Sequence, residues 1–325
     1  MKVKILPEYC DEPHPDDVLI QVTGTTVCGA EVYILEGYVP QIEYGDVTGH
    51  EYLGNIIQCH SDIGLFQAGD RVVIPLDLSQ IPKFRTIYGM DGSAAEDYIK
   101  VRFDDHSLFK IPHALSEDQI LLLADLYPAA RMAIDNANIR PGDTVAIWGC
   151  GVLGQIAVQY AWLMGAHRVI AIDPDPEKLE LAQQVRKTEI LDALEWDIPR
   201  KLREMTNNKG PDCCIDTVGP SCRDHTLQMI IDSCRSGGNI SVPAAYRDHL
   251  NAIPIGATLN KKITIKIGKF RLQKNISQIL EQIEDGYLDP FFIQILFPQP
   301  EEKFYIYDIS KGNNSGIYAT KGMMT

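Results

Sequence analysis

The stretch "AIWGCGVLGQIA", residues 146–157, decides the fold of this chain. It places Gly149, Gly151 and Gly154 in the spacing GxGxxG, after an apolar run of strand character and at the start of an apolar helix. In such a turn the first glycine makes the bend tight, the second lets the backbone approach a pyrophosphate, and the third lets helix and strand pack closely. The motif therefore predicts an anion site at a helix N-terminus, where free N–H groups and the helix dipole favour negative charge.

The residues that follow supply the context that this motif needs. A second strand, "RVIAID", ends at Asp173, roughly 20 residues beyond the glycines. An aspartate at this place accepts hydrogen bonds from the adenosine ribose and repels a 2′-phosphate. Since "DPDPE" (173–177) contains no Lys or Arg, the sequence favours NAD over NADP. A doubly wound domain that binds another nucleotide, or that has lost its ligand, is the alternative.

Strands and helices alternate from Asp143 onward. After "RVIAID" come a helix in "DPEKLELAQQVRK", the strand "DCCIDTVG", a helix through "DHTLQMIIDSCR", and the strands "GNISVPA" and "KITIKIG". Strands joined by helices need right-handed crossovers and form a parallel sheet that is covered on both faces. The pattern predicts a doubly wound α/β domain of the Rossmann type.

The first hundred or so residues are β-rich, with short apolar runs between Gly, Pro and Asp, and they predict a small barrel or sandwich. These runs are "DVLIQVTGTTVCG", "EYLGNIIQC", "DRVVIPLDL" and "AEDYIKV". Helical spacing begins near Ser116 and Glu117, and Pro128 should kink or divide that helix.

Composition excludes several classes of function. The chain has 325 residues with 45% hydrophobic content, enough for two domains. A formal net charge of -14 disfavours a nucleic-acid partner, which needs clustered Lys and Arg. No apolar run approaches the roughly 18 residues of a membrane span, and the start lacks the apolar core of a signal peptide. Eight cysteines without a CxxC pair are expected to be reduced and mostly buried, in a soluble cytoplasmic protein.

A second informative stretch is "GDVTGHEYLGN", residues 45–55. His50 and Glu51 stand side by side between glycines, and both offer lone pairs to a metal. By themselves these residues leave two interpretations open: a metal site, or a polar loop with one structural histidine.

The order of motifs resembles that of the zinc-type medium-chain dehydrogenase/reductase superfamily over nearly the whole chain. The motifs are "TTVCGAEVY", "GHEYLG", "AGDRVVIP", "LADLYPAARMA", "IRPGDTVAIWGCGVLG" and "DCCIDTVG". Within the superfamily, the "LADLYP" block and the tail from "IGATLNKKITIKIGKF" to "LEQIEDGYLDPFFI" look most like the branch of the glutathione-independent formaldehyde dehydrogenases.

The resemblance implies a domain division and a set of site residues. It implies a GroES-like catalytic barrel in residues 1–126, completed by 269–325, and an NAD-binding Rossmann domain in residues 127–268. It also implies a catalytic zinc held by Cys28, His50 and Asp125, with Glu51 as a fourth or exchangeable ligand. Cofactor contacts carried over in the same way, besides the three glycines and Asp173, are Val152, Leu153, Val218, Pro243 and Gly268.

This sequence departs from the family pattern at positions that bear on the metal and on proton transfer. The lobe that binds a structural zinc through four cysteines in many relatives is here "LDLSQIPKFRTIYGMDGSAAEDY", without cysteine, so no structural zinc is expected. Ala30 occupies the position of the usual Ser or Thr, whose hydroxyl passes a proton from the substrate, and Tyr33 occupies the usual histidine position. A bound water, Glu51 or the Tyr33 phenol could take over the proton transfer.

Three functions remain compatible with these residues. The first is a zinc-dependent oxidoreductase that moves a hydride between NAD(H) and a small alcohol or aldehyde. The second is an NAD(P)H-dependent reductase of an activated C=C bond or an imine, for which a missing hydroxyl at Ala30 is harmless. The third is a non-enzymatic relative that uses the scaffold for regulation. The resemblance also implies a homodimer or homotetramer formed near the strand "KITIKIG".

Restoring the hydroxyl tests whether the interrupted proton relay limits the rate. Ala30→Ser should raise the rate of alcohol oxidation by roughly tenfold or more, because a positioned proton-transfer group contributes on that scale. Steady-state kinetics with a panel of alcohols measures the change, and Ala30→Val serves as the control that adds bulk without a hydroxyl. An unchanged rate would mean that another group already transfers the proton.

Overall fold

A computed structural model describes residues 17–26, 51–59, 66–75, 98–102, 108–218, 226–243, 254–268 and 275–289. The chain forms two compact units, one of residues 1–124 with 299–325 and one of residues 125–298. The domain boundaries given above by the family resemblance stay a prediction. Within the described ranges, no helix has the length and apolar character to cross a bilayer.

The first unit contains an antiparallel sheet whose described strands run in the order β4-β1-β2-β3-β5. The strands are β1 Asp17–Thr26, β2 Glu51–Gln58, β3 Arg71–Pro75, β4 Tyr98–Arg102 and β5 Phe109–Lys110. Alternate residues point to one buried face, which is the period-2 pattern of a half-buried strand. This face contains Val18, Ile20, Tyr52, Ile56, Val72 and Ile74. The β-rich first domain predicted from the sequence is confirmed.

A divided helix follows this sheet. Ser116 and Gln119 form a capping box, in which the Gln119 N–H donates to the Ser116 hydroxyl at 3.4 Å and the Ser116 N–H donates to Gln119 Oε1 at 2.9 Å. Helix α1, Glu117–Ile120, continues as a 3₁₀ turn over Leu121–Ala124, and α2 then covers Leu126–Ala137. The predicted division of the helix is confirmed. Its physical cause is Pro128, which has no N–H to donate to the Ala124 carbonyl four residues earlier.

The second unit contains a parallel sheet of six described strands in the order β11-β10-β9-β6-β7-β8. These strands are β6 Thr144–Trp148, β7 Arg168–Asp173, β8 Glu189–Asp192, β9 Cys213–Asp216, β10 Asn239–Val242 and β11 Thr264–Ile267. The further helices are α3 Val152–Leu163, α4 Pro176–Gln184, α5 Ile198–Met205, α6 Thr226–Ser233, α7 Ile255–Lys261 and α8 Ile276–Glu284. The sheet order is that of the dinucleotide-binding fold, so the predicted Rossmann domain is confirmed.

Burial explains why the central strands read as continuous apolar runs. All four residues of β9 are buried, as are the last four of β6 and the last five of β7. A parallel strand that is covered on both faces has no need of polar alternation. The sequence interpretation therefore found these strands, but it missed β8, α5 and α7.

Candidate functional site

The glycine turn between β6 and α3 has the geometry that the motif predicts. Gly149 has φ +91°, a left-handed conformation that favours glycine, and its N–H donates to the Ile172 carbonyl at 2.8 Å. A Cβ at Gly149 would lie 2.9 Å from the Thr217 hydroxyl oxygen, and a Cβ at Gly154 would overlap the Gly149 carbonyl oxygen. Both positions therefore exclude a side chain, and α3 packs directly against the turn.

Gly151 is different, because the described residues leave open the space that a Cβ would occupy. Gly151 is the N-cap of α3. Because glycine has no side chain, it makes no side-chain hydrogen bond to the first turn, which begins with Val152 and Leu153. A Cβ at Gly151 would meet no described atom within 4 Å. A 12-residue helix thus presents its N-terminus to an open space, which fits a diphosphate whose charge complements the helix dipole.

Asp173 joins the end of β7 to this turn. Its side chain is buried, its Oδ2 accepts from the Cys150 N–H at 2.7 Å, and its Oδ1 accepts from the Asp175 N–H at 2.9 Å. Each carboxylate oxygen has a further lone pair after these bonds. The carboxylate is therefore fixed by two backbone donors and retains the capacity to accept hydrogen bonds from ribose hydroxyls.

The charge beside Asp173 is negative. Asp175 caps α4 by accepting from the Glu177 N–H at 3.0 Å, and its Oδ2 lies 3.2 Å from Lys178 Nζ. Burial acts to raise the pKa of Asp175, but the Lys178 ammonium and the backbone N–H groups outweigh it and lower the pKa. Lys178, the first cation after Asp173 in the chain, is thus paired with a carboxylate.

The cysteine inside the glycine turn is a packing residue. The Cys150 side chain is buried, and burial together with the charge of Asp173 raises the pKa of its thiol far above the ordinary value. Burial likewise raises the pKa of the Cys213 thiol, which donates to the Ala137 carbonyl. Neither thiol is ionised near neutral pH, as expected for a small buried apolar residue.

The other predicted cofactor residues follow neighbouring strands of the same sheet. Val218 comes just after β9, Pro243 directly after β10 and Gly268 directly after β11. Because the strands are parallel, their carboxyl ends share one edge with the glycine turn. The structure brings these predicted residues to one edge, and their contact with a cofactor remains a prediction.

Two of the predicted zinc ligands, Cys28 and His50, lie outside the described residues, as does Tyr33. The segment 76–97, where no structural zinc was expected, also lies outside them. Glu51 begins β2, where it pairs with Thr26 and Pro75. Asp125 precedes α2 and is partly exposed, and its carboxylate makes no capping hydrogen bond to that helix. The zinc ligand set therefore stays a prediction.

One residue at this edge was missed in the sequence. The Thr217 hydroxyl lies 2.8 Å from the carbonyl oxygens of both Trp148 and Gly149, so it ties the end of β9 to the glycine turn. Its position directly after a buried strand, at the carboxyl edge of a parallel sheet, is the signal that could have identified it.

Two family models match the chain. The model of the alcohol dehydrogenase GroES-like domain matches residues 14–113, and that of the zinc-binding dehydrogenase matches residues 152–285. Among curated proteins, an uncharacterized zinc-type alcohol dehydrogenase-like protein, AdhB of Bacillus subtilis, is 27% identical over 350 residues, covering 92% of each chain. An alcohol dehydrogenase of Cupriavidus necator is 28% identical, covering 87% of this chain and 86% of its own.

Solved structures agree with these matches. The alcohol dehydrogenase TADH from Thermus sp. ATN1 superposes with a TM-score of 0.75 at 28% identity, covering 90% of this chain and 87% of its own. A zinc-binding dehydrogenase from Sinorhizobium meliloti, solved with NADP bound, has a TM-score of 0.70 at 23% identity, covering 86% of this chain and 84% of its own. The second likeness shows a shared fold.

Alanine substitution at two glycines of the turn should change two different quantities: stability at Gly154 and NADH binding at Gly151. Gly154→Ala should lower the free energy of unfolding by about 1–3 kcal/mol, because its Cβ overlaps backbone. Gly151→Ala should leave stability within about 0.5 kcal/mol of wild type, because its Cβ enters open space, but should weaken NADH binding by roughly tenfold or more. Urea unfolding and calorimetric titration measure the two effects. Unaltered NADH affinity in Gly151→Ala would contradict a diphosphate at this turn.

Proposed function

Because the chain belongs to the zinc-type alcohol dehydrogenase superfamily, we propose that it is a zinc-dependent oxidoreductase that transfers a hydride between NAD(H) and an alcohol or aldehyde. The carrying observation is the buried carboxylate of Asp173, fixed beside an open helix N-terminus at the carboxyl edge of the sheet. The similarity to named alcohol dehydrogenases over most of the chain supports the substrate class.

The choice of NAD rests on charge. A 2′-phosphate at the adenosine ribose would meet the Asp173 carboxylate, and Asp175 follows two residues later with its charge directed at Lys178. Repulsion between an anionic ligand and a fixed carboxylate disfavours NADP. Since a relative of the same fold was solved with NADP, these residues, rather than the fold, determine the preference in our proposal.

The proposed metal site contains one zinc, with no structural zinc elsewhere. Cys28, His50 and Asp125 offer a thiolate, an imidazole and a carboxylate, a donor set that suits tetrahedral zinc with one open position. Asp125, partly exposed at the N-cap of α2, would supply the carboxylate of this set. Zinc there would polarise the substrate oxygen, and the nicotinamide would accept or give the hydride.

The chain's own residues would bind and orient the cofactor and would transfer the proton. The N–H groups at the start of α3 would hold the diphosphate and Asp173 would hold the adenosine ribose, and Val218 and Pro243, at the same edge of the sheet, would contact the rest of the cofactor. This placement converts a bimolecular encounter into an oriented one. Because Ala30 has no hydroxyl, a bound water, Glu51 or the Tyr33 phenol would carry the proton between substrate and solvent, more slowly than a positioned Ser or Thr hydroxyl.

Two finer assignments belong to the same proposal. The "LADLYP" block and the C-terminal motifs support a place near the glutathione-independent formaldehyde dehydrogenases. A homodimer or homotetramer is supported by β11, an edge strand of the described sheet with mostly exposed residues, and by the exposed Ile255 and Leu259 of α7.

Reduction of a C=C bond or an imine is not favoured, since the relatives from Cupriavidus necator and Thermus sp. ATN1 are named as alcohol dehydrogenases.

Removing the thiolate tests the metal. Cys28→Ala should reduce bound zinc and turnover of alcohols by roughly tenfold or more, because a metal site that loses a ligand loses affinity on at least that scale. NADH affinity should stay within about twofold of wild type, because the Rossmann residues are untouched. Elemental analysis, kinetics and calorimetric titration measure the three quantities.

A second cysteine provides the control for this substitution. Cys59 follows β2, and its thiol lies 3.6 Å from the Phe66 carbonyl, so Cys59→Ala should retain zinc and turnover. Full zinc content and turnover in Cys28→Ala would end the proposed mechanism.

A further inference from the structure

An exposed apolar pair lies in the loop between β8 and α5. The Leu194 side chain is 72% exposed and that of Trp196 is 48% exposed. An indole and an isobutyl group that are exposed together in one loop form a small apolar surface, and covering it with a ligand or partner is favourable. No role proposed above uses either residue.

The backbone places this loop beside the ribose-binding carboxylate. β8 pairs with β7 in parallel, with Asp192 opposite Asp173, and the Ala193 N–H donates to the Asp173 carbonyl at 3.1 Å. The loop therefore leaves the carboxyl edge of the sheet one strand away from the glycine turn. In open parallel sheets this edge is where a nucleotide lies.

Three interactions hold the loop in place. Asp192 Oδ1 accepts from the Leu194 N–H at 2.7 Å, which forms a local turn. Asp197 caps α5 by accepting from the Arg200 N–H at 3.2 Å. Lys201 Nζ lies 4.1 Å from the centroid of the Trp196 ring, so one face of the indole contacts an ammonium group. The tryptophan is thus held at one face, which reduces the ordering cost of stacking on the other.

We infer that Trp196 and Leu194 form the wall against which the adenine ring of the cofactor packs. This inference rests on the proposed function, because it requires that Asp173 hold the adenosine ribose. Adenine is flat and aromatic, so it gains from stacking on an indole and from contact with an aliphatic side chain.

ADP-ribose tests the wall, because it carries the adenine and lacks the nicotinamide. Trp196→Ala should weaken ADP-ribose binding by roughly tenfold, the scale found when a stacked aromatic is replaced by alanine. Trp196→Phe should retain affinity within about threefold, since a phenyl ring still stacks. Ile57→Ala is the matched control, because Ile57 is 44% exposed in β2 and has no role in the proposed site, and it should leave affinity unchanged.

Calorimetric titration of the wild-type and variant proteins separates the outcomes. Equal ADP-ribose affinity in wild type and Trp196→Ala, with NADH binding intact, would overturn the adenine wall and leave the proposed function standing. Failure of the wild type to bind either NADH or ADP-ribose would overturn both. Tryptophan emission gives an independent readout: ADP-ribose should quench the wild-type signal, and this quenching should be absent in Trp196→Phe.

Discussion

The proposed nucleotide site of this protein depends on one buried carboxylate. Asp173 accepts from the Cys150 N–H, 23 residues away in the chain, and so joins the end of β7 to the glycine turn after β6. A hydrogen bond to a charged acceptor contributes about 1.5–3 kcal/mol, and a buried carboxylate that lost its donors would cost more. The turn is therefore held in the one conformation that opens the N-terminus of α3. The same group supplies the acceptor proposed for ribose, so binding and local folding share one constraint.

Much of the fold could be predicted from the sequence because its signals are local. GxGxxG between an apolar strand and an apolar helix needs only adjacent residues, and the fully buried β6, β7 and β9 are continuous apolar runs. The edge strand β8 has four residues, of which one is buried, so its pattern is weak. Helix α5 is short and rich in charge, and its Asp197 cap and Pro199 were its only start signals.

The residues of the candidate site likewise fall into those with a local sequence signal and those without one. The glycines and Asp173 follow from spacing within one βαβ unit, whereas Cys28, His50 and Asp125 come from three distant segments, and no spacing rule connects them. Only the family resemblance made that set specific. Thr217 and Trp196 were missed because a residue in a loop after a strand has no periodic signal, and its importance depends on which strand end lies beside it. Sheet order supplied that information.

Asp173 selects the cofactor in the proposed function, and the affinities of NAD and NADP for wild type and for Asp173→Ala measure that selection directly. Wild type should bind NAD at least roughly tenfold more tightly than NADP, because a 2′-phosphate faces a fixed carboxylate. In Asp173→Ala, NAD binding should weaken and the ratio should fall toward one. An equal or reversed preference in wild type, or an affinity ratio that the substitution leaves unchanged, would contradict selection of the cofactor by Asp173.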